Sequence, residues 1–173
     1  MKIEPITPKK FDASLDVIRQ AFAGAAHTDG HEAELVEKLR KSPTYDPDYD
    51  VIATSDDGAV IGSALLSAAK IISDAQTWPV FVLAPLAVLP AYQHQSVGSN
   101  LIKYLEMQAG EDERMAISIL GDPKFYGRFG YLPASQYDIT GPFTGAEFMI
   151  KPIRQGGLEN VSGRLEYDPA FGL

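Results

Sequence analysis

A turn of small and polar residues, Gln93 to Ser99, joins a predicted strand to a predicted helix. The free backbone N–H groups and the partial positive charge at a helix N-terminus can hold an anion such as a diphosphate. Small residues in such a turn let a ligand approach the backbone closely. The turn therefore predicts an anion site on the N–H groups of Gln95 to Ser99. The alternative is an ordinary loop in which Ser96 or Ser99 caps the helix.

A second run, residues 126–131, combines aromatic residues with glycine and reads Tyr-Gly-Arg-Phe-Gly-Tyr. A phenol of ordinary pKa, near ~10, can act as a proton donor. Tyr126 is therefore a candidate general acid. The alternative is an aromatic side chain that only packs, since Phe125 and Phe129 make the segment largely hydrophobic. Lys124 and Arg128 beside them are expected to stay solvated.

A site that transfers protons also needs a general base, which is commonly a carboxylate or a histidine. The candidates in this chain are His31, Glu32, Glu34 and Asp122. Glu32 and Glu34 are the two kept as catalytic candidates, although their spacing is equally typical of a solvated helix face. His27 and His31 have the spacing of two metal ligands on a helix, but Gly30 lies between them and no third ligand follows, so no metal site is predicted.

The composition restricts the possible classes of function. The 173 residues carry a formal net charge of −8, which disfavours binding to nucleic acids and anionic membranes. The chain has no cysteine, which removes disulfides, thiolate metal sites and a cysteine nucleophile. The N-terminus has no apolar signal-like segment, and no run is long enough to span a bilayer, so a cytoplasmic location is expected.

The apolar patterns predict a mixed α/β protein that forms a single domain over residues 1–173. The sequence Asp56-Asp57-Gly58 between two apolar runs predicts a hairpin turn, and Pro85 predicts an irregularity in a long strand. Gly62 is a predicted bulge position. Helices are predicted at 11–23, 32–39 and 99–109, with a short helix after the strand at 115–120. Strands are predicted at 1–7, 50–55, 59–72, 78–89, 115–120, 148–150 and 161–167.

Placed on these elements, the two runs resemble the GCN5-related N-acetyltransferase (GNAT) superfamily. The turn of that family reads Gln/Arg-x-x-Gly-x-Gly/Ala between its fourth strand and its third helix. Residues 93–98 match it as Gln-His-Gln-Ser-Val-Gly, with Ser96 in place of the first glycine. The family's tyrosine stands four residues before a Gly-aromatic pair, as Tyr126 stands before Gly130-Tyr131.

A closer resemblance is to the YhbS-like subgroup of predicted acetyltransferases, and it covers most of residues 50–171. The shared segments are APLAVLPAYQ (Ala84 to Gln93), LGDPKFYGRFGYLPAS (Leu120 to Ser135), GPF (Gly141 to Phe143), EFM (Glu147 to Met149) and GRLEYDPAF near the end. The subgroup does not indicate a substrate.

The resemblance implies a GNAT-type fold, in which a mixed, mostly antiparallel central sheet is flanked by helices. It also implies that the pantetheine arm of coenzyme A pairs like an added strand with Leu86, Ala87 and Val88. The backbone N–H near Val88 would polarise the thioester carbonyl. The implied cofactor-binding residues are Leu86, Ala87, Val88, Gln93, Gln95, Ser96, Val97, Gly98, Ser99, Asp122, Phe125 and Tyr126.

The resulting prediction is an N-acyltransferase that moves an acyl group directly from acyl-CoA, with acetyl-CoA as the expected donor, to an amine in a ternary complex. The partners are acetyl-CoA and an unidentified amine, and a homodimer is compatible with the fold. One alternative is a non-catalytic module that binds or senses acyl-CoA. Another is an acyltransferase that acts on a hydroxyl, which needs a stronger base than the sequence shows.

Overall fold

The computed structural model of the chain describes residues 1–26 and 28–173. His27, one of the two histidines considered as a metal pair, lies outside the described residues. Within the described ranges the helices are α1 (Phe11–Phe22), α2 (Glu32–Leu39), α3 (Val97–Ala109) and α4 (Pro123–Tyr126). The strands are β1 (Lys2–Pro5), β2 (Asp50–Thr54), β3 (Val60–Ile72), β4 (Thr77–Val88), β5 (Ala116–Leu120), β6 (Leu132–Pro133), β7 (Ile139–Thr140), β8 (Phe148–Pro152) and β9 (Gly163–Glu166).

The strands form a sheet in the order β1-β2-β3-β4-β5-β8-β6, with β9 paired to β3 and β7 paired to β9. β1 with β2, β2 with β3, β5 with β8, and β6 with β8 are antiparallel pairs, whereas β4 with β5 and β7 with β9 are parallel. The predicted class, a mixed and mostly antiparallel sheet with flanking helices, is confirmed. Among the described residues no helix has the length and hydrophobicity needed to cross a membrane.

The chain forms two compact units. The first unit contains Met1–Leu66 and Pro85–Gln108, and the second contains Ser67–Ala84 and Ala109–Leu173. β3 crosses the boundary between residues 66 and 67, and β4 crosses the one between residues 84 and 85, so each of these strands contributes residues to both units. The expectation that residues 1–173 form one domain stays a prediction.

In the first unit, α1 and α2 contact each other along their apolar faces. The apolar residues of each helix recur at a spacing of three to four, which places them on one stripe. β2 is buried along its whole length. The buried apolar residues that α1 and α2 contribute are Leu15, Val17, Ile18, Ala33, Val36 and Leu39.

Helix α3 lies very close to β3 at Gly62. A Cβ at Gly62 would lie 2.9 Å from Val97 Cγ1 and 3.0 Å from Leu101 Cδ1, so any larger residue would push the helix away from the strand. The ladder between β2 and β3 changes register here, from Ala53 opposite Gly62 to Thr54 opposite Val60. The predicted irregularity at Gly62 is therefore confirmed, and the glycine also sets the distance between strand and helix.

A buried ion pair links the C-terminus of α2 to the start of β2 in the first unit. Arg40 Nε donates to Asp50 Oδ2 at 2.8 Å, and Arg40 Nη2 donates to Ser14 Oγ on α1 at 2.8 Å. The Arg40 guanidinium also stacks 4.3 Å from the centroid of the Phe11 ring. The side chains of Arg40 and Asp50 are only 6% and 0% exposed, so each charge depends on the other for solvation.

Tyr45 completes this network, because its hydroxyl donates to Asp50 Oδ2 at 3.0 Å. Burial and the neighbouring Asp50 carboxylate raise the pKa of Tyr45 above its ordinary value. Arg40 Nη1 is buried and has no hydrogen-bond partner within residues 1–26 and 28–173. The carboxylate is thus surrounded by donors from α2 and the following loop, which hold α1, α2 and β2 together.

The second unit is built around β5, whose residues Ala116 to Ile119 are buried between parallel β4 and antiparallel β8. Apolar side chains from β3, β4, β8 and β9 complete the core, together with Ala134, Ile139, Leu158 and Val161. β6 and β7 have two residues each. They are too short to show an alternating pattern, and the sequence did not predict them.

Replacing Asp50 with alanine is expected to lower the free energy of unfolding by about 3–5 kcal/mol, because the Arg40 charge would remain buried without its partner. Chemical denaturation monitored by circular dichroism measures this change. Arg19→Ala is the matched control. Arg19 and Asp16 form an ion pair whose side chains are 56% and 65% exposed, and its loss is expected to cost less than about 1 kcal/mol.

The double variant Arg40→Met/Asp50→Leu distinguishes the buried charge from the packing. It removes both charges and keeps apolar volume, so it is expected to be more stable than Asp50→Ala alone. A double variant that is less stable than Asp50→Ala would contradict this account of the pair.

Candidate active site

The turn before α3 presents backbone N–H groups without intrahelical acceptors. The Asn100 N–H donates to the Ser96 carbonyl at 3.0 Å, which closes the first helical turn. The helix therefore begins at Val97, two residues before the predicted start, and Val97, Gly98 and Ser99 form its N-terminal turn. The amides of these three residues belong to the group that a helix leaves unpaired at its N-terminus. The free N–H groups on which the predicted anion site depends lie at this helix end, and the anion site itself stays a prediction.

Two residues of this turn have left-handed backbone conformations. φ is +60° at His94 and +65° at Ser96. A residue with a Cβ is disfavoured in this region, by about 1–3 kcal/mol, whereas glycine is not. The conformation explains physically why the family has glycine where this chain has Ser96. From the sequence, the signal for this conformation was the family's glycine at the position of Ser96.

The side chains of Gln93 and Gln95 bond to the preceding backbone. Gln93 Nε2 donates to the Val88 carbonyl at 3.2 Å, and Gln95 Nε2 donates to the Ala91 carbonyl at 2.9 Å. Both bonds brace the segment that joins β4 to α3. The role assigned to the two glutamines by their position in the motif thus has a structural component, which is to hold the turn in place.

The end of β4 directs backbone groups of Val88 away from β3. The Leu89 N–H donates to the Ile61 carbonyl of β3 at 2.9 Å. Because a trans peptide points its C=O opposite to its N–H, the Val88 carbonyl faces the other edge of β4. In extended backbone the N–H of Val88 faces that same edge. Leu86 and Val88 are partly exposed, and Ala87 is buried.

The parallel ladder from β4 to β5 runs from Phe81 opposite Ile117 to Leu83 opposite Ile119. Pro85 follows two residues later and has no N–H to donate. β4 itself continues to Val88. The irregularity predicted at Pro85 therefore coincides with the end of the ladder between β4 and β5.

Tyr126 lies at the end of the short helix α4, whose start is fixed by Asp122 and Pro123. Asp122 is the N-cap, and its Oδ1 accepts the Lys124 N–H at 2.9 Å. The Asp122 carbonyl accepts the N–H groups of Phe125 and Tyr126, both at 3.0 Å. The short helix predicted after β5 is confirmed, and the Asp-Pro pair at its N-cap and first helical position is a recognised start signal. The Asp122 carboxylate, proposed for cofactor contact or base catalysis, caps α4.

The ring of Tyr126 is enclosed by other residues of the second unit. It packs edge-to-face with Phe125 at 4.9 Å and with Tyr131 at 6.0 Å between ring centroids. On its other side it lies against Gly121, where a Cβ would overlap Tyr126 Cε2 and stand 2.9 Å from Cδ2. Sequence reasoning missed Gly121, because nothing in the pattern shows which side chain covers a glycine.

Burial raises the pKa of Tyr126 to about 12. Within the described residues the Tyr126 hydroxyl has no hydrogen-bond partner. The phenol therefore carries its proton at neutral pH and has a donor available for a ligand. These properties suit a general acid and are equally those of an aromatic residue that packs against a cofactor.

The candidate bases lie around the start of α2, in the first unit. Glu32 accepts a hydrogen bond from Thr28 Oγ1, and Glu34 Oε2 lies 3.1 Å from His31 Nδ1. The Glu34 and His31 side chains are 62% and 66% exposed, which fits the solvated helix face considered from sequence. Glu32 is half-buried. The structure therefore places Glu32 in a more enclosed setting than Glu34.

Arg128 and Lys124 have exposed positions, as expected. The Arg128 guanidinium lies 4.8 Å from the centroid of Phe125 and 5.7 Å from that of Phe129, so it also stacks on these two rings. In the ranges 1–26 and 28–173, no group of three or more His, Asp or Glu side chains is placed to hold a metal ion.

Replacing Ser96 with glycine is expected to raise the free energy of unfolding by about 1 kcal/mol. It relieves the strain of a positive φ, and the greater entropy of glycine in the unfolded chain offsets part of that gain. Ser99→Gly is the control in the same segment. Ser99 is inside α3, where glycine is expected to cost about 0.5–1 kcal/mol. Thermal and denaturant unfolding of both variants should give changes of opposite sign. Equal losses of stability would contradict the assigned backbone strain.

Comparison with known proteins places the chain in a family. Residues 2–134 match the family described as the acetyltransferase (GNAT) domain. The chain is 30% identical to the uncharacterized N-acetyltransferase YhbS of Escherichia coli (strain K12) over 169 residues, which are 96% of this chain and 94% of that protein.

Two solved structures are similar along the whole chain. The crystal structure of YhbS from Escherichia coli in complex with CoA has a TM-score of 0.84 at 26% identity, and it covers 99% of this chain and 92% of that one. A GNAT family acetyltransferase from Brucella melitensis in complex with acetyl-CoA has a TM-score of 0.78 at 25% identity, with coverage of 98% and 97%. The fold and the sequence agree with each other, and the chain belongs to the GNAT family of acetyltransferases.

Proposed function

We propose that the chain transfers an acetyl group directly from acetyl-CoA to the amine of a second substrate. The observation that carries this proposal is the α3 turn, which combines unpaired helix N–H groups with the left-handed conformation at the family's glycine position. The complexes of its two structural relatives with CoA and acetyl-CoA support it. The names of these relatives favour an enzyme over a non-catalytic module that only binds acyl-CoA.

In the first unit, the proposed cofactor contacts come from the end of β4 and the start of α3. The N–H groups of Val97, Gly98 and Ser99, with those of Gln95 and Ser96, would bind the diphosphate. The edge of β4 that carries the Val88 carbonyl would pair with the pantetheine arm. On the same edge, the Val88 N–H would donate to the thioester oxygen as negative charge develops there.

In the second unit, Tyr126 is the proposed proton donor, and Phe125 and Asp122 are further proposed cofactor contacts. The amine nitrogen attacks the thioester carbon, the C–N bond forms, and the C–S bond then breaks to release a thiolate. Tyr126 gives its proton to that sulfur, and the proton that the new amide nitrogen must lose passes through water to the resulting tyrosinate. A low-dielectric setting raises the pKa of a thiol as well as that of a phenol, so burial shifts the donor and the acceptor of this proton in the same direction.

The attacking nitrogen must first lose a proton, and Glu32 and Glu34 are the proposed acceptors, directly or through water. Glu32 is favoured because it is half-buried, whereas Glu34 is exposed and paired with His31. The absence of cysteine excludes a cysteinyl acyl-enzyme and supports direct transfer in a ternary complex. A cytoplasmic location is part of the proposal, and a homodimer stays a prediction.

Replacing Gly98 with leucine is expected to weaken acetyl-CoA binding by at least about tenfold, because the added side chain crowds the backbone that would face the diphosphate. Gly98→Ala is the matched control, since alanine is accepted at this position of the family motif. Isothermal titration calorimetry with acetyl-CoA and with free coenzyme A measures both variants. Equal affinity of the leucine variant and the unmodified protein would count against this diphosphate site.

Replacing Tyr126 with phenylalanine is expected to lower kcat by about 10²–10⁴-fold and to leave acetyl-CoA affinity nearly unchanged, because only the proton donor is removed. Release of coenzyme A thiol in a screen of amine acceptors measures the rate. Unchanged kcat would assign Tyr126 to packing alone. Tight acetyl-CoA binding by an unmodified protein that turns over no amine would instead favour the sensing module.

A further inference from the structure

We infer that Gly121 is a positioning residue, which sets the place of the Tyr126 hydroxyl by having no side chain. This inference rests on the proposed function of Tyr126 as the proton donor. Gly121 directly follows β5, and the Tyr126 ring lies over it. A Cβ at this position would overlap Cε2 of the ring and would lie 2.9 Å from Cδ2 and 3.4 Å from Cζ. The ring occupies the space that any other residue at 121 would fill.

The backbone on both sides of this contact is held by hydrogen bonds. The Gly121 N–H donates to the Glu147 carbonyl at 3.0 Å, next to the ladder that pairs Leu120 with Phe148. The backbone of Tyr126 is held by its N–H bond to the Asp122 carbonyl at 3.0 Å. A Cβ at 121 would therefore be accommodated by rotation of the Tyr126 ring, since the two backbone segments are less free to separate.

The surroundings of the ring determine what this rotation would do. Phe125 and Tyr131 pack edge-to-face against it, so it has no equivalent position close by. A rotated ring would carry its hydroxyl away from its present place. A displacement of about 1 Å in a reacting group can cost about 10²-fold in rate. Gly121 would thus affect the reaction without contacting the substrate or the cofactor.

Gly127 offers a matched control for this inference. It lies at the other end of α4, φ is −58°, and a Cβ there would meet no atom within 4 Å. Gly121→Ala and Gly127→Ala therefore add the same methyl group at opposite ends of one short helix, and only the first addition meets the Tyr126 ring.

The position of the ring can be observed without an enzymatic assay. The protein is labelled with 3-fluorotyrosine, and Tyr126→Phe identifies the ¹⁹F resonance of Tyr126 among those of the eight tyrosines. Gly121→Ala is expected to shift this resonance more than the other seven, and Gly127→Ala is expected to leave it in place. A Tyr126 resonance that is unmoved in folded Gly121→Ala would overturn the inference, whether or not the protein proves to be an acetyltransferase.

Kinetics test whether the displacement matters for proton donation. Gly121→Ala is expected to lower kcat by about 10–100-fold with little change in KM for acetyl-CoA. In the Tyr126→Phe background the same change is expected to have no further effect, because the hydroxyl that it displaces is already absent. Independent, multiplicative losses in the double variant would show a general structural effect and would overturn the positioning role.

The two proposals fail in distinguishable ways. An unmodified protein that releases no thiol with any amine contradicts the proposed function, and the ¹⁹F measurement still decides the geometry at Gly121. An active protein whose Gly121→Ala variant keeps full kcat contradicts the positioning role and leaves the proposed function in place. Circular dichroism spectra of each variant establish that it is folded.

Discussion

The close approach of α3 to β3 at Gly62 is the constraint on which the candidate cofactor turn depends. The strand and the helix meet where Val97 and Leu101 fill the space of the missing side chain. Val97 is also the first residue of α3, so this contact lies directly beside the unpaired N–H groups of the helix. The bonds from Gln93 and Gln95 to the preceding carbonyls then hold the turn against the end of β4.

In the second unit, Gly121 likewise allows a close contact because it has no side chain. There the absent Cβ leaves room for the Tyr126 ring, while the Asp122 cap and Pro123 determine the direction of α4. In each unit a glycine brings a functional segment close to a strand, and hydrogen bonds to backbone groups fix its orientation. The turn at residues 93–99 and the run that begins at Tyr126 are thus both held by close packing and by local hydrogen bonds.

Much of the fold was predictable because its long elements repeat a pattern many times. α2 has the predicted bounds, and α1 and the β2–β3 hairpin match within a residue or so, since the apolar stripe and the Asp-Asp-Gly turn are strong local signals. β6 and β7 were missed because two residues show no period. α3 was predicted to begin at Ser99, because the local sequence does not distinguish the exposed Ser96 and the buried Val97 from other loop residues. The hydrogen bond from the Asn100 N–H to the Ser96 carbonyl shows that the helix begins earlier.

The sequence by itself determined the fold class and the family resemblance, since the turn motif, the tyrosine run and the order of elements all depend on local residue types. It also identified Ser96 as a departure from the family and Tyr126 as the candidate acid. Only the tertiary structure decided that Ser96 has a positive φ and that burial raises the pKa of Tyr126 to about 12. It alone paired Gly62 with α3 and Gly121 with the tyrosine ring. Backbone conformation, desolvation and the identity of the group that packs against a glycine are set by contacts between segments distant in sequence. The local sequence does not specify them.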